Sequence, residues 1–137
     1  MNECISTVSH SKVKLEEKGR KAIFLNPTRE NYEVGRIDGC LISDGPKADF
    51  FISSSTKTVF VELKGCNVDH ACKQLFAAVE HENVKDKIRK EVGFVVICSR
   101  LPSASSSTLR AQQRARRKYR AKFRVYCNQR ELSISEC

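Results

Sequence analysis

The chain has 137 residues, enough for one hydrophobic core but few for two, so we expect a single domain spanning residues 1–137. No apolar run approaches the ~20 residues of a membrane-spanning helix, which argues against a membrane protein. The formal net charge of +9 favours a polyanionic partner.

The seven cysteines are odd in number and include no Cys-x-x-Cys pair, which argues against a disulfide framework and against a zinc ribbon. Cys66, His70 and Cys72 have no fourth ligand nearby and make a poor zinc site. The other cysteines in apolar runs are expected to be small core residues; they are Cys40, Cys98 and Cys127. The first residues also lack the features of a signal peptide, so we expect a soluble cytoplasmic protein. We also expect no small-molecule cofactor.

The N-terminal region carries weak secondary-structure signals. Residues 6–18 predict a helix that ends at Gly19, and a strand through Val13 and Leu15 is the alternative. Residues 21–25 predict a short strand that ends at a turn-forming Asn-Pro pair.

A longer strand is predicted over residues 32–43, followed by a turn at 44–47. In that register Asp38 lies opposite Ser53, about 13 Å along the strand from the residue that faces Asp49. Asp38 is therefore expected to be structural rather than a metal ligand.

Two aromatic and β-branched runs flank a polar stretch at residues 54–57, which is the pattern of a β-hairpin. A four-residue loop at this point would pair Ser53 with Thr58 and Phe51 with Phe60. The two strands would then be in a fixed register.

In this register Asp49 lies directly opposite Glu62, and Lys64 shares a face with Glu62 because side chains alternate along a strand. Directly paired residues have Cβ atoms about 4.5–5.5 Å apart, so the two carboxylates would repel each other unless a cation lay between them. Carboxylate oxygens suit the hard cation Mg²⁺, so the hairpin predicts a magnesium site.

Residues 68–81 predict a helix, because apolar residues recur at helical spacing along one side. This apolar stripe consists of Val68, Ala71, Cys72, Leu75, Phe76 and Val79. Residues 92–98 are continuously apolar, as in a strand buried on both faces, and they follow a helix as a crossover to the centre of a sheet would.

The positive charge is concentrated near the C-terminus, where nine basic residues and no acid fall between positions 110 and 130. Since the chain has 25 basic and 16 acidic residues, the whole excess lies in this basic helical arm, at about 103–130. A helix over 109–119 would align Arg110, Arg114 and Arg117. The alternative is a solvated helix packed through its alanines, but the absence of interleaved acids favours binding of phosphate groups. The predicted nucleic-acid-binding residues are Arg110, Arg114, Arg116, Arg117, Lys118 and Arg120.

After the helix, residues 123–127 predict a final strand, and residues 133–137 predict a frayed tail.

Asp49 followed, a hairpin's length later, by Glu62-Leu63-Lys64 on a hydrophobic strand resembles the PD-(D/E)XK nuclease superfamily, which includes restriction endonucleases and Holliday-junction resolvases. The resemblance covers about residues 17–99, although Ala48 stands where the motif has proline. It implies an α/β fold with a restriction-endonuclease-like core, in which a mixed sheet (three-strand meander, helix, strand) is flanked by helices.

The resemblance also implies a division of roles in the site. Asp49, Glu62 and the main-chain carbonyl of Leu63 would bind Mg²⁺, for which Mn²⁺ can substitute. Lys64 would orient the attacking water or stabilise charge at phosphorus.

Two further residues have weaker support. Glu17, on an N-terminal helix, would add an acid to the site, and its alternative is an exposed charge. Gln74, on the helix after the motif, would help to position substrate or water, and its alternative is also an exposed side chain.

The function expected from the resemblance is that of a metal-dependent endonuclease that hydrolyses or nicks phosphodiester bonds in DNA. The alternatives are a non-catalytic nucleic-acid-binding module on the same fold, or a nuclease directed at RNA. Many superfamily members are homodimers, and the sequence leaves the oligomeric state open.

Overall fold

The computed structural model of the chain describes residues 3–63, 67–100 and 106–137. Within these ranges, six successive strands come before a segment in which two helices alternate with strands. This is a mixed α/β fold, the class that was predicted. The elements in chain order are β1 (Ile5–Val8), β2 (Lys12–Glu17), β3 (Arg20–Leu25), β4 (Tyr32–Arg36), β5 (Phe50–Ser53), β6 (Lys57–Glu62), α1 (Val68–Glu80), β7 (Glu91–Cys98), α2 (Ser106–Tyr119), β8 (Phe123–Cys127) and β9 (Gln129–Leu132).

The larger sheet has six strands in the order β1-β4-β5-β6-β7-β8. The first four are antiparallel neighbours, whereas β6, β7 and β8 run parallel to one another. The parallel strands are joined by α1 and α2, as parallel strands require a crossover. The predicted order of meander, helix and parallel strand is therefore present in β4-β5-β6, α1 and β7.

Within the described ranges the helices cover one face of this sheet, which differs from the expected sheet flanked by helices. A three-stranded sheet in the order β2-β3-β9 covers the other face. Apolar residues of the two sheets, including Phe24, Val59 and Val61, form one continuous core between them. Neither helix in the described ranges is long and apolar enough to cross a membrane.

The second core lies between the larger sheet and the helices, and a row of phenylalanines sets its register. Phe51, Phe60, Phe94 and Phe123 are successive pairing partners across β5, β6, β7 and β8. Their neighbouring ring centroids lie 6.1–6.2 Å apart. Because side chains alternate along a strand, Glu62 points to the same side as Phe60, toward the helices.

The N-terminal region differs from the predicted helix over residues 6–18. It forms two strands, β1 and β2, and the alternative of a strand through Val13 and Leu15 is correct. Both residues are buried between the sheets, while the intervening Lys14 is exposed. This alternation has the two-residue period of a half-buried strand.

The predicted long strand over residues 32–43 is also wrong, because β4 ends at Arg36. The chain then makes a tight turn in which Ile42 N–H donates to Ile37 O over 2.9 Å, and Gly39 adopts a positive φ of 75°. As a result Ser53 faces Glu33 rather than Asp38.

The same turn carries a disulfide between Cys4 and Cys40, which the cysteine pattern did not predict. Cys40 is exposed and is not a core residue, while Cys98 is buried and Cys127 is half-buried. The bond ties the segment before β1 to the turn after β4.

The C-terminal residues are ordered rather than frayed. Ile134–Glu136 form a 3₁₀ helix, and both Ile134 and Cys137 are buried in the core between the sheets. Gly93 on β7 allows this packing, since a Cβ there would lie 2.5 Å from the main-chain oxygen of Cys137.

Candidate active site

The hairpin that carries the acidic pair has the predicted register. Ser53 pairs with Thr58 and Phe51 with Phe60, and Ser54 N–H closes the loop by donating to Lys57 O over 2.9 Å. One step beyond the last strand pair, this register brings Asp49 beside Glu62.

Asp49 is held by hydrogen bonds with the main chain on both of its sides. Its Oδ2 accepts the main-chain N–H of Leu63 over 2.7 Å, and its own N–H donates to Val61 O over 3.2 Å. On the other side its carbonyl accepts the N–H of Ile37 over 2.9 Å. The carboxylate is thereby fixed against the main chain at the carboxyl end of β6.

Glu62 lies at the same end of β6, on the side that faces the helices. Its pairing partner on β7 is Val96, a residue of the core beneath the helices, so the neighbour of Glu62 on the β7 side is apolar. Asp49 is 2% exposed and Glu62 is 1% exposed. Two carboxylates at such a depth are stable only where hydrogen bonds, a bound proton or a cation compensates the charge.

The remaining residues of the tripeptide differ in what the structure describes. The side chain of Leu63 is buried in the core between the sheets, and its main chain passes beside the Asp49 carboxylate. Lys64, the predicted catalytic lysine, lies outside the described residues, as does Cys66.

Glu17 does not have the setting that was predicted for it. It ends β2 in the three-stranded sheet, where it pairs with Arg20, because the expected N-terminal helix is replaced by strands. That sheet covers the face of the larger sheet opposite the helices, whereas Asp49 and Glu62 lie on the helix side. Glu17 therefore does not join the acidic pair.

Gln74 is half-buried on α1. It shares one side of the helix with the buried Ala71 and Ala78, three residues before it and four after it. This side of the helix faces the core. The predicted role of Gln74 in positioning substrate or water stays a prediction.

Asp38 lies closer to the acidic pair than the sequence suggested. Its main-chain N–H approaches the carbonyl of Asp49 at 3.4 Å, because the chain turns immediately after β4. Its carboxylate is 4.0 Å from the ammonium of Lys47 and is partly exposed. The Asp38 side chain thus belongs to a surface ion pair.

The amino ends of both helices lie at the same edge of the sheet as Glu62. Asn67 caps α1 by accepting the N–H of His70 over 3.0 Å. Asp69, in the first turn, accepts hydrogen bonds from Ser107 Oγ over 3.1 Å and from Arg110 Nη2 over 3.4 Å. These contacts between the helices had no signal in the sequence beyond an acid near a helix start.

His70 and Cys72 do not form the zinc site that was considered. His70 is exposed, whereas Cys72 is buried, and residues two apart on a helix point in different directions. Burial raises the pKa of the Cys72 thiol, and a hydrogen bond from Arg114 partly opposes that rise.

The six predicted nucleic-acid-binding residues are all exposed on α2 or immediately after it. The helix packs through Ala111 and Ala115, as the alternative interpretation also expected. Arg110 pairs with Asp69, and Lys118 lies 2.7 Å from Glu80. The others, which make no ion pair with an acid in the described part of the chain, are Arg114, Arg116, Arg117 and Arg120.

The donor set of the acidic pair fits a hard divalent cation. Two adjacent carboxylates and a nearby main-chain segment offer oxygen ligands only, and Mg²⁺ commonly completes such a set with water and phosphate oxygens. Across residues 3–63, 67–100 and 106–137, no group of three or more His, Cys, Asp or Glu side chains is arranged to bind a metal. A metal held here would therefore depend on few protein ligands.

No protein-family model, curated protein or solved structure matches this chain. The candidate function therefore rests on the geometry of the residues.

Proposed function

We propose that the protein is a metal-dependent endonuclease that hydrolyses phosphodiester bonds in DNA, on a restriction-endonuclease-like core. The observation that carries the proposal is the side-by-side arrangement of Asp49 and Glu62 at the carboxyl end of β6. This pair lies within the unit formed by the meander β4-β5-β6, the helix α1 and the parallel strand β7. Ligand sites of α/β sheets form preferentially at the carboxyl ends of strands, so the location suits a reactive site.

In this proposal Asp49, Glu62 and the carbonyl of Leu63 hold Mg²⁺ or Mn²⁺. A metal bound there would act as a Lewis acid, stabilising charge at the phosphoryl oxygens and activating a water. The chain's own contribution is to orient the carboxylates, which the Leu63 N–H does for Asp49. Lys64 stabilises the charge that develops at phosphorus, and Gln74 positions substrate or water.

The exposed cations of α2 support a polyanionic substrate. Arg114, Arg116, Arg117 and Arg120 have guanidinium groups whose paired N–H donors match phosphate oxygens. Arg114, Arg116 and Arg117 lie on α2, the helix that follows β7, and Arg120 comes directly after it.

The test is cleavage of supercoiled plasmid by wild type, Glu62→Gln and Lys64→Ala, each with Mg²⁺, Mn²⁺ or EDTA. We expect nicked or linear product from wild type only with metal, and at least a hundredfold less from either variant. Glu16→Gln, which removes an exposed acid of the other sheet, is the matched control and should cleave normally. Thermal melts establish that Glu62→Gln is folded. Metal-independent cleavage, or full cleavage by folded Glu62→Gln, would reject the proposal.

A second candidate is a nucleic-acid-binding module without catalysis. The depth of the two carboxylates favours it, since Asp49 and Glu62 are almost fully buried and a substrate must reach a catalytic metal. It predicts DNA or RNA binding that is the same in Mg²⁺ and EDTA. It also predicts no product from plasmid, branched DNA, single-stranded DNA or RNA. Product from RNA alone would instead identify an RNA-directed nuclease.

A further inference from the structure

The basic charges of α2 divide between two edges of the helix with different surroundings. On the edge that faces α1, Arg110 lies 3.4 Å from Asp69 and Lys118 lies 2.7 Å from Glu80. Tyr119 also donates a hydrogen bond to Glu80. The cations at these two positions are each offset by an acid and serve to join the helices. Arg114, which lies between them, hydrogen-bonds the Cys72 thiol of α1 and has no acidic partner in the described ranges.

The opposite edge of α2 faces the start of β8 and has a different character. Arg116 on the helix, with Lys122 and Arg124 after it, lines a cleft of ≈270 Å³. Within the described ranges, none of these three cations forms an ion pair with an acid. The Lys122 ammonium instead donates to a main-chain oxygen, that of Glu136, over 3.4 Å.

The local fold of the chain builds this cleft. Arg120 adopts a positive φ of 54°, and its N–H donates to Arg116 O over 3.0 Å, which ends the helix in a left-handed cap. The chain thereby reverses into β8 and brings Lys122 and Arg124 beside Arg116. Gln112 Nε2 donates to Phe123 O over 3.2 Å and holds the helix edge against the strand. The cations are thus presented by two elements that are fixed to each other.

We propose that this cleft, formed by Arg116, Lys122 and Arg124, is the principal contact for the nucleic-acid phosphate backbone, and that the α1 edge of α2 is not. The inference rests on the proposed function for its choice of a nucleic acid as the partner. Three cations without acidic partners attract a phosphate more strongly than cations already paired, because the paired ones must first give up their acids. Guanidinium groups additionally bind phosphate oxygens through two parallel hydrogen bonds.

The location of the cleft adds a requirement on substrate length. Contacts of α2 with α1 run from Ser107 at one end to Tyr119 at the other, so the helices are parallel and the cleft lies at the end of α2 away from Glu62. At a rise of 1.5 Å per residue, that end is about 15–20 Å from the carboxylate edge along the helix axis. A duplex bound at both places extends about five base pairs from the scissile bond toward the cleft.

The experiment compares variants that each remove two positive charges. Lys122→Gln/Arg124→Gln alters the cleft, Arg110→Gln/Lys118→Gln alters the α1 edge, and Lys12→Gln/Lys14→Gln, on the other sheet, is the control. Binding to a labelled 20-base-pair duplex is measured by fluorescence anisotropy at several salt concentrations. All six side chains are at least partly exposed, and thermal melts confirm folding.

We expect the cleft variant to lose about 10- to 100-fold in affinity near 0.1 M salt, and the slope of log K against log salt to fall by about 2. The control should lose less than about threefold with an unchanged slope, and the α1-edge variant should resemble the control. An equal loss in the α1-edge and cleft variants would overturn the inference, as would a cleft variant that binds like wild type. Binding to phosphatidylserine vesicles but to no nucleic acid would overturn the choice of partner.

The outcomes separate this inference from the proposed catalysis. A wild-type protein that cleaves plasmid while the cleft variant binds normally would leave the nuclease intact and reject the cleft. A wild-type protein that binds through the cleft but cleaves nothing would support the cleft and reject the nuclease.

Discussion

The Cys4–Cys40 disulfide should contribute a large part of the free energy of unfolding. It closes a loop between residues 36 apart in sequence. In the chain-entropy model a loop of this length restricts the unfolded chain by about 4 kcal/mol at 25 °C. Because domains are stable by only about 5–15 kcal/mol, loss of the bond should be evident in any unfolding measurement.

The bond also acts close to the acidic pair. Arg36 N–H donates to Cys4 O over 2.8 Å, and the next residue, Ile37, donates to Asp49 O over 2.9 Å. Release of the segment before β1 would therefore loosen the turn that holds the main chain of Asp49. We expect reduction to lower the proposed catalytic activity as well as stability.

The assay is urea unfolding of wild type with and without a phosphine reductant, beside Cys4→Ser/Cys40→Ser. With a dependence on urea of about 2 kcal/mol per molar, a loss of about 4 kcal/mol lowers the midpoint by about 2 M. The double variant should have this low midpoint and show no response to the reductant. Cys127→Ser, at a half-buried thiol outside the disulfide, is the control and should respond as wild type does.

Two results would refute the reasoning. One is a wild-type midpoint that does not change although peptide mapping shows the bond to be reduced. The other is complete alkylation of Cys4 and Cys40 in protein never exposed to reductant, which would show that the bond does not form. Stable disulfides are rare in a reducing cytosol, so confirmation of the bond would also bear on the expected cytoplasmic location.

Three further substitutions test contacts that hold the fold together. Gly35→Ala should cost about 1–3 kcal/mol or more, because its Cβ would lie 2.1 Å from the buried ring of Phe51, and an unchanged melting temperature would contradict this. Thr58→Val should lower the free energy of unfolding in urea by about 1–3 kcal/mol. The Thr58 hydroxyl lies 2.8 Å from the hydroxyl of the buried Ser53 and accepts the main-chain N–H of Arg89. Thr58→Ser keeps the hydroxyl and should cost less. Hydrogen bonds from Lys118 and, to a smaller extent, from the Tyr119 hydroxyl lower the pKa of Glu80 from its ordinary 4.5. Tyr119→Phe removes the second of these hydrogen bonds. A carboxyl group whose pKa is lowered by folding stabilises the fold at pH values above its ordinary pKa, and this stabilisation is lost as the pH falls through the pKa of the folded protein. The variant should therefore be less stable than wild type at pH 7 and equally stable in strong acid.

The parts of the fold that the sequence predicted are those with local causes. The hairpin register follows from two apolar strands and a short polar loop, and the pairing of Phe51 with Phe60 depends on residues only nine apart. The helix α1 and the strand β7 likewise have their patterns within a single element. At these positions the hydrophobic period is decisive, because every residue of the pattern contacts a core that the same element helps to form.

The errors arose where the pattern was ambiguous or the partner was distant. Val13 and Leu15 fit the period of a strand, but the wider segment also has apolar residues at helical spacing. Asp38-Gly39 is a turn-forming pair, and this local signal is consistent with a strand that ends before Cys40. The disulfide itself could not be read from the sequence, because an odd set of cysteines does not specify which two approach each other.

The same distinction separates the two parts of the proposed function. Asp49 and Glu62 could be placed side by side because one hairpin determines their distance, whereas Glu17 depended on how a remote segment folded. The excess of positive charge near residue 120 was evident in the composition, but its division into two edges was not. That division is made by Asp69 and Glu80 on α1, which lie about 40 residues from their partners and offset two of the cations on the edge that faces α1. A charge count can therefore predict that this region attracts phosphate, while the packing of α2 against α1 determines which cations remain available to bind it.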